Sequence, residues 1–179
     1  MLPGIELRIQ NLIKAMQEVV LPAIPPSERL AADQAGLVVG HLRMIAAQWR
    51  NAARFEGQSL EHLLTLANRI AATENIPMTD SARAALVAVC KKYQHVDRFN
   101  DILLNEAVRQ VGSCVDNVIL NEGIGSTINP LLMKEALKYG AVQARRERTW
   151  FQDNMLDPGR ADLPSIKEML AEDALGSQL

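Results

Sequence analysis

The chain has 179 residues, a formal charge of -2, 48% hydrophobic residues and only 4% aromatic ones. That is long enough for one domain with a substantial core and too apolar for wholesale disorder. It carries no surplus of positive charge to neutralise a phosphate backbone, so nucleic-acid binding is not expected as its main role.

With few aromatic rings, alanine and aliphatic side chains must supply the packing, which favours closely packed helices. The first helix is expected from Pro3 to about Leu21, carrying Ile5, Ile9, Leu12, Ile13, Met16 and Val19. Proline suits a first helical turn, where its missing N–H is no loss. The run P-A-I-P-P from Pro22 to Pro26 should stop it. Ser27 then reads as the N-cap of a second helix reaching about Glu56, with Gly57 just beyond its end. At ~1.5 Å per residue such a helix is ~45 Å long, and its wide apolar arc predicts a central position.

Ser59 opens a third helix ending before Pro77, and Thr79 or Ser81 caps the next. From Thr79 to Glu122 one apolar stripe keeps its phase through Leu86, Cys90, Tyr93, Leu104, Val111 and Val118. That is one very long helix or two, with a break expected near Gln94 to Asp97 and Asp97 as the new cap. E-G-I-G-S-T-I-N-P is a loop, Asn129 caps a helix from Pro130 to about Met155, and Asp157–Gly159 is a turn. S-I-K-E-M-L-A is a short amphipathic helix before the tail.

No segment alternates in the way a half-buried strand does. The fold class is therefore all-α: a bundle of five to six helices around one long central helix, with no β-sheet. Residues 1–160 read as a single domain and 161–179 as a short C-terminal helix and tail. No apolar run approaches the ~20 residues that cross a bilayer. The opening M-L-P-G-I-E-L-R has no basic segment followed by an apolar stretch, so a cytoplasmic protein is expected. Long helices with wide apolar faces in a small chain suggest burial between subunits, and a homodimer is the default assembly.

The second helix carries the main candidate site. Gln34, His41 and Gln48 are seven residues apart and fall inside its apolar arc. Three roles fit such a ladder. It can be a set of bonded core polar groups. It can be a register device that fixes helix pairing. It can also line an internal ligand pocket, with His41 as donor or acid–base group and Trp49 beside it. Gly36 and Gly40 on the same helix suggest that another backbone approaches closely. A second candidate is A-V-Q-A-R-R-E-R-T-W-F, where Arg145, Arg146 and Arg148 form a solvated or anion-binding cluster beside Trp150 and Phe151, an interface anchor.

Other chemistries lack a motif. Cys90 and Cys114 form no C-x-x-C, and no Glu-x-x-His pair supports a di-metal bundle, so neither metal nor cofactor is expected. His62 lies at the rim of its helix's apolar arc and His95 opposite one. G-I-G-S-T lacks the strand and the lysine of a phosphate loop, and no G-x-S-x-G is present. The leading expectation is a non-enzymatic binding or interaction protein that dimerises. The alternative is a small-molecule site, open to catalysis, around His41.

Overall fold

The structure is a computed structural model that describes residues 4–122, 129–154 and 156–176. Seven helices and no strands are found among them, so the chain is all-α. The count exceeds five or six because residues 79–122 form two helices and the C-terminal segment forms one of its own. Among the described residues, no helix is long and apolar enough to cross a membrane.

Contacts divide the chain into two compact units, Met1–Asn51 with Glu147–Lys167, and Ala52–Arg146 with Glu168–Leu179. In the first unit, α1 runs from Ile5–Ala15 through a π-helical turn, Met16–Val20, into a last turn, Leu21–Ala23. It was expected to stop before Pro22, yet that proline lies inside the helix. Proline has no N–H to give, and its ring crowds the carbonyl one turn back. The widened π turn, in which the Leu21 N–H bonds back to the Met16 carbonyl, relieves both. Ile24 then turns extended before Pro25 and ends the helix.

The second helix, α2, spans Arg29–Gln48. Its N-cap is Glu28 rather than Ser27, and no side chain caps it. The Glu28 N–H bonds to Pro25 in the preceding turn instead. Val39 and half-buried Leu42, Ala46 and Trp49 of α2 pack against Ile9, Ile13 and Met16 of α1. With Ala32 and Ala35 these α2 positions repeat at spacings of three and four, as a helix-packing seam does. The expected single helix to Glu56 is broken at Trp49–Asn51, where a turn replaces it.

The second unit is built on α3 (Ala52–Ala72), α4 (Asp80–Tyr93) and α5 (Asp101–Glu122), which pack against one another. Ser59 does not open α3 but lies within it, its hydroxyl donating to the Phe55 carbonyl. Gly57 is likewise interior, with the Arg98 side chain against it. The shared core includes Ile70, Leu86, Ala107 and Val111, all fully buried. Thr79 caps α4 by accepting from the Ala82 N–H. Arg83 donates to the carbonyls of Ala71 and Ile76 and so closes the end of α3. The break before α5 falls where the stripe is interrupted, but its cap is Asn100, which accepts from the Leu103 N–H; Asp97 accepts from Phe99.

The sixth helix, α6, spans Pro130–Trp150, and Asn129 caps it by accepting from the N–H groups of Leu131 and Leu132. The Asn129 amide also donates to the Asn75 carbonyl, which ties α6 to the loop after α3. Helix α7 spans Ile166–Gly176. Cys90 is buried, and burial together with nearby Cys114 pushes its thiol up, which keeps it protonated and inert.

Candidate functional site

The ladder on α2 does not line a core. Gln34 and His41 are exposed, and Gln48 is half-buried, donating to the Trp150 carbonyl at 2.7 Å. Trp49 sits in the α1–α2 seam with the Arg50 guanidinium 5.0 Å above its ring. A Cβ at Gly36 or Gly40 would meet nothing within 4 Å, so no backbone approaches the helix at these two glycines. The expectation of a buried central helix is corrected accordingly. The seam that packs on α1 uses Val39, Leu42, Ala46 and Trp49. The bulky Leu30, Leu37, Val38 and Ile45 lie outside it and are 46–73% exposed. Large apolar residues thus stand on both sides of α2, and α1 covers only one of them.

The arginine run also resolves into separate fates. Residues on a helix diverge by ~100° each, so adjacent arginines face different neighbours. Arg145 is exposed and lies 3.5 Å from Glu172. Arg148 is exposed and forks onto the Asp157 carboxylate at 2.6 and 3.2 Å. That fork and the Gly159 N–H hold the Asp157 carboxyl below its ordinary range. Trp150 is buried while Phe151 is half exposed. Arg146 is 2% exposed, and its reading as part of a solvated cluster is corrected.

Arg146 organises the polar centre of the second unit. Its guanidinium pairs with one oxygen of Asp173 on α7. It also donates to the Phe55 carbonyl at 3.0 Å and the Ser59 hydroxyl at 3.1 Å, and lies over the Phe55 ring. The other Asp173 oxygen is 3.5 Å from His62 Nε2. Buried Gln58 and exposed Arg54 both donate to the Leu170 carbonyl, so polar contacts clamp α7 onto α3. Asp173 thus bridges a buried cation and a half-buried imidazole.

His62 is held below the ordinary histidine value, first by burial and then by the Arg146 charge, with Glu61 opposing. The Nε2 atom, 3.5 Å from Asp173, makes no hydrogen bond to it. The imidazole is therefore neutral near pH 7. In front of it lies a pocket of about 260 Å³ between α3 and α6. Glu61, His62, Leu66 and Arg69 line one side, and Glu135, Lys138, Tyr139 and Val142 the other. Among the described residues, no three histidine, cysteine or acidic side chains gather as a metal set.

The chain matches no protein-family model, and no curated protein or solved structure matches it. Asp173 and the inward role of Arg146 were not anticipated, yet both have a signal. Leu132, Tyr139 and Arg146 are seven residues apart, one inner stripe of α6. Asp173 continues the face of Ile166, Met169 and Leu170 at helical spacing.

The lowered His62 gives a pH prediction. The folded state resists protonating this ring, whereas the unfolded chain binds the proton near pH ~6.5. The contribution is therefore complete above that value and is lost as pH falls below it toward the folded value. Urea midpoints measured from pH 8 to 5 should fall more steeply for the wild type than for His62→Gln. Parallel curves would show that His62 ionises as freely in the fold as outside it.

Proposed function

We propose that this is a non-enzymatic helical interaction protein that acts as a homodimer, its α1–α2 hairpin packing on that of a second copy as a four-helix bundle. One observation carries this reading: large aliphatic side chains stand uncovered on both helices of the hairpin. Ile5, Leu12 and Val19 are 53–65% exposed on α1, each seven residues from the next. Leu30, Leu37 and Ile45 are 47–73% exposed on α2.

The pattern on α2 suits a second helix. Leu30, Leu37 and Met44 alternate with Gln34, His41 and Gln48 at spacings of three and four, a second seam beside the one that α1 covers. Leucine at one heptad position with polar groups at the other sets register at a cost in stability. Gln48 already has a partner within its own chain, so the selective layers are Gln34 and His41. Size agrees as well. Two helices of about 20 residues present a face of roughly 30 by 20 Å, the scale of the ~800 Å² per partner in a stable complex. Exposed apolar patches of this extent mark interaction surfaces. Helix α2 has no charge at the centre of the seam to repel a copy of itself. A cytoplasmic location fits this role.

Sedimentation equilibrium tests it. The wild type is expected at twice the chain mass, and Leu37→Glu at the monomer mass with unchanged helicity. Gln34→Leu should keep the helicity but shift the assembly to a larger species. A monomeric wild type at ~100 μM, or a Leu37→Glu variant that still dimerises, overturns the reading.

A further inference from the structure

We propose that the pocket between α3 and α6 binds a small organic monoanion, a carboxylate carrying a compact aromatic or branched aliphatic group. The inference is independent of dimerisation, because every group it uses lies in the second unit.

Charge at the pocket selects the sign of the ligand. Glu61 is paired with Arg98, and Glu135 lies 3.6 Å from Arg69. Among the described residues, Lys138 has no ion-pair partner, so one positive charge at the rim is uncompensated. A single spare cation matches one carboxylate better than a phosphate dianion, which needs two or more charges or a helix N-terminus. The walls select the body of the ligand. Leu66, Tyr139 and Val142 offer apolar surface, and neutral His62 adds one hydrogen-bonding edge.

The site is also built rather than accidental. His62 is backed by Asp173, and Asp173 is fixed by Arg146, a side chain with 2% exposure. A buried ion pair seldom gains stability over apolar packing, so its place directly behind a pocket argues for a positioning role. On the other flank, a second cavity of about 340 Å³ shares Leu66 and Tyr139 with the first. Helix α6 thus leaves space on both sides of Tyr139. At about 260 Å³ the pocket falls below the ~300–1,000 Å³ of drug-sized sites, which limits the ligand to about a dozen non-hydrogen atoms.

Backbone amide NMR with phenylacetate and isovalerate as probes tests the proposal on the whole chain. Either acid should cause saturable shifts centred on His62, Lys138 and Tyr139 at up to ~10 mM, the range of a weak fragment-sized ligand. Phenylacetamide, the uncharged counterpart, should cause none. Lys138→Met, an exposed substitution that leaves the fold intact, should weaken binding about tenfold or more, as loss of a charged hydrogen bond does. No saturable shift from either acid overturns the proposal, as does equal binding of the amide or unchanged affinity in Lys138→Met. Shifts scattered over surface lysines, away from the pocket, also overturn it.

Discussion

Replacing Arg146 by methionine is expected to destabilise the second unit by about 3–5 kcal/mol, the cost of breaking a buried ion pair on one side only. Methionine fills much of the volume, so the loss is not chiefly a cavity. It comes from the partners left behind. Asp173, whose side chain is 12% exposed, would lose the guanidinium that balances its charge, and the His62 ring, 3.5 Å from its other oxygen and itself desolvated, would have to take up a proton to replace it. The Phe55 carbonyl and Ser59 hydroxyl would each lose a charged donor. Arg146→Lys should recover only part, because an ammonium cannot serve three acceptors in the planar arrangement of a guanidinium. The double change Arg146→Met with Asp173→Leu should be much milder than Arg146→Met alone, because it removes both charges together. Urea unfolding of the three variants decides the matter. A loss below about 1 kcal/mol in Arg146→Met would mean that water reaches the pair and that the guanidinium is not buried as described.

How much of this was legible beforehand differs by element. Caps with a local cause were readable: Asn129, and Thr79 as one of two candidates, each accept from an N–H within three residues, whereas the break after Tyr93 was visible in the stripe but its cap, Asn100, was read as Asp97. Pro22 was misjudged because a helix can pass a proline by widening to a π turn, as it does over Met16–Val20. Gly57 and Ser59 look like an end and a start. Both are absorbed into α3, since the glycine faces the stem of Arg98 and the serine bonds one turn back.

The candidate sites divide along the same line. The heptad of Gln34, His41 and Gln48 was visible, but periodicity reports that residues share a face, not what covers that face. On α2 the side with Val39, Leu42 and Trp49 meets α1, and the side with Leu30, Leu37 and Ile45 is left open. Conversely, three arginines in a row of four residues look like one charged patch. Phase separates them, and only Arg146 follows Leu132 and Tyr139 inward. The contact from Asp173 to Arg146 spans 27 residues and two helices. No local pattern encodes such a pairing. The apolar phase of α7 shows only that Asp173 faces inward, where an acid needs a partner.

Leu132→Ala is expected to cost about 2–5 kcal/mol, whereas Leu131→Ala, one residue away, should stay within about 0.5 kcal/mol. The contrast follows from how α6 is held. Along its inner stripe, Leu132 is fully buried, Tyr139 is half-buried beside cavities, and Arg146 makes polar contacts. Leu132 is thus the apolar anchor of the N-terminal part of α6, next to the Asn129 cap and the Asn75 contact. Truncation leaves a void that the neighbouring helices can close only in part, and the cost grows with the volume left empty. Leu131 is 41% exposed and removes little surface from water, so its loss changes little. Thermal and urea unfolding of the pair provide the measurement. If the two variants were equally mild, α6 would be held by its polar contacts alone, and the anchoring role of Leu132 would have to be abandoned.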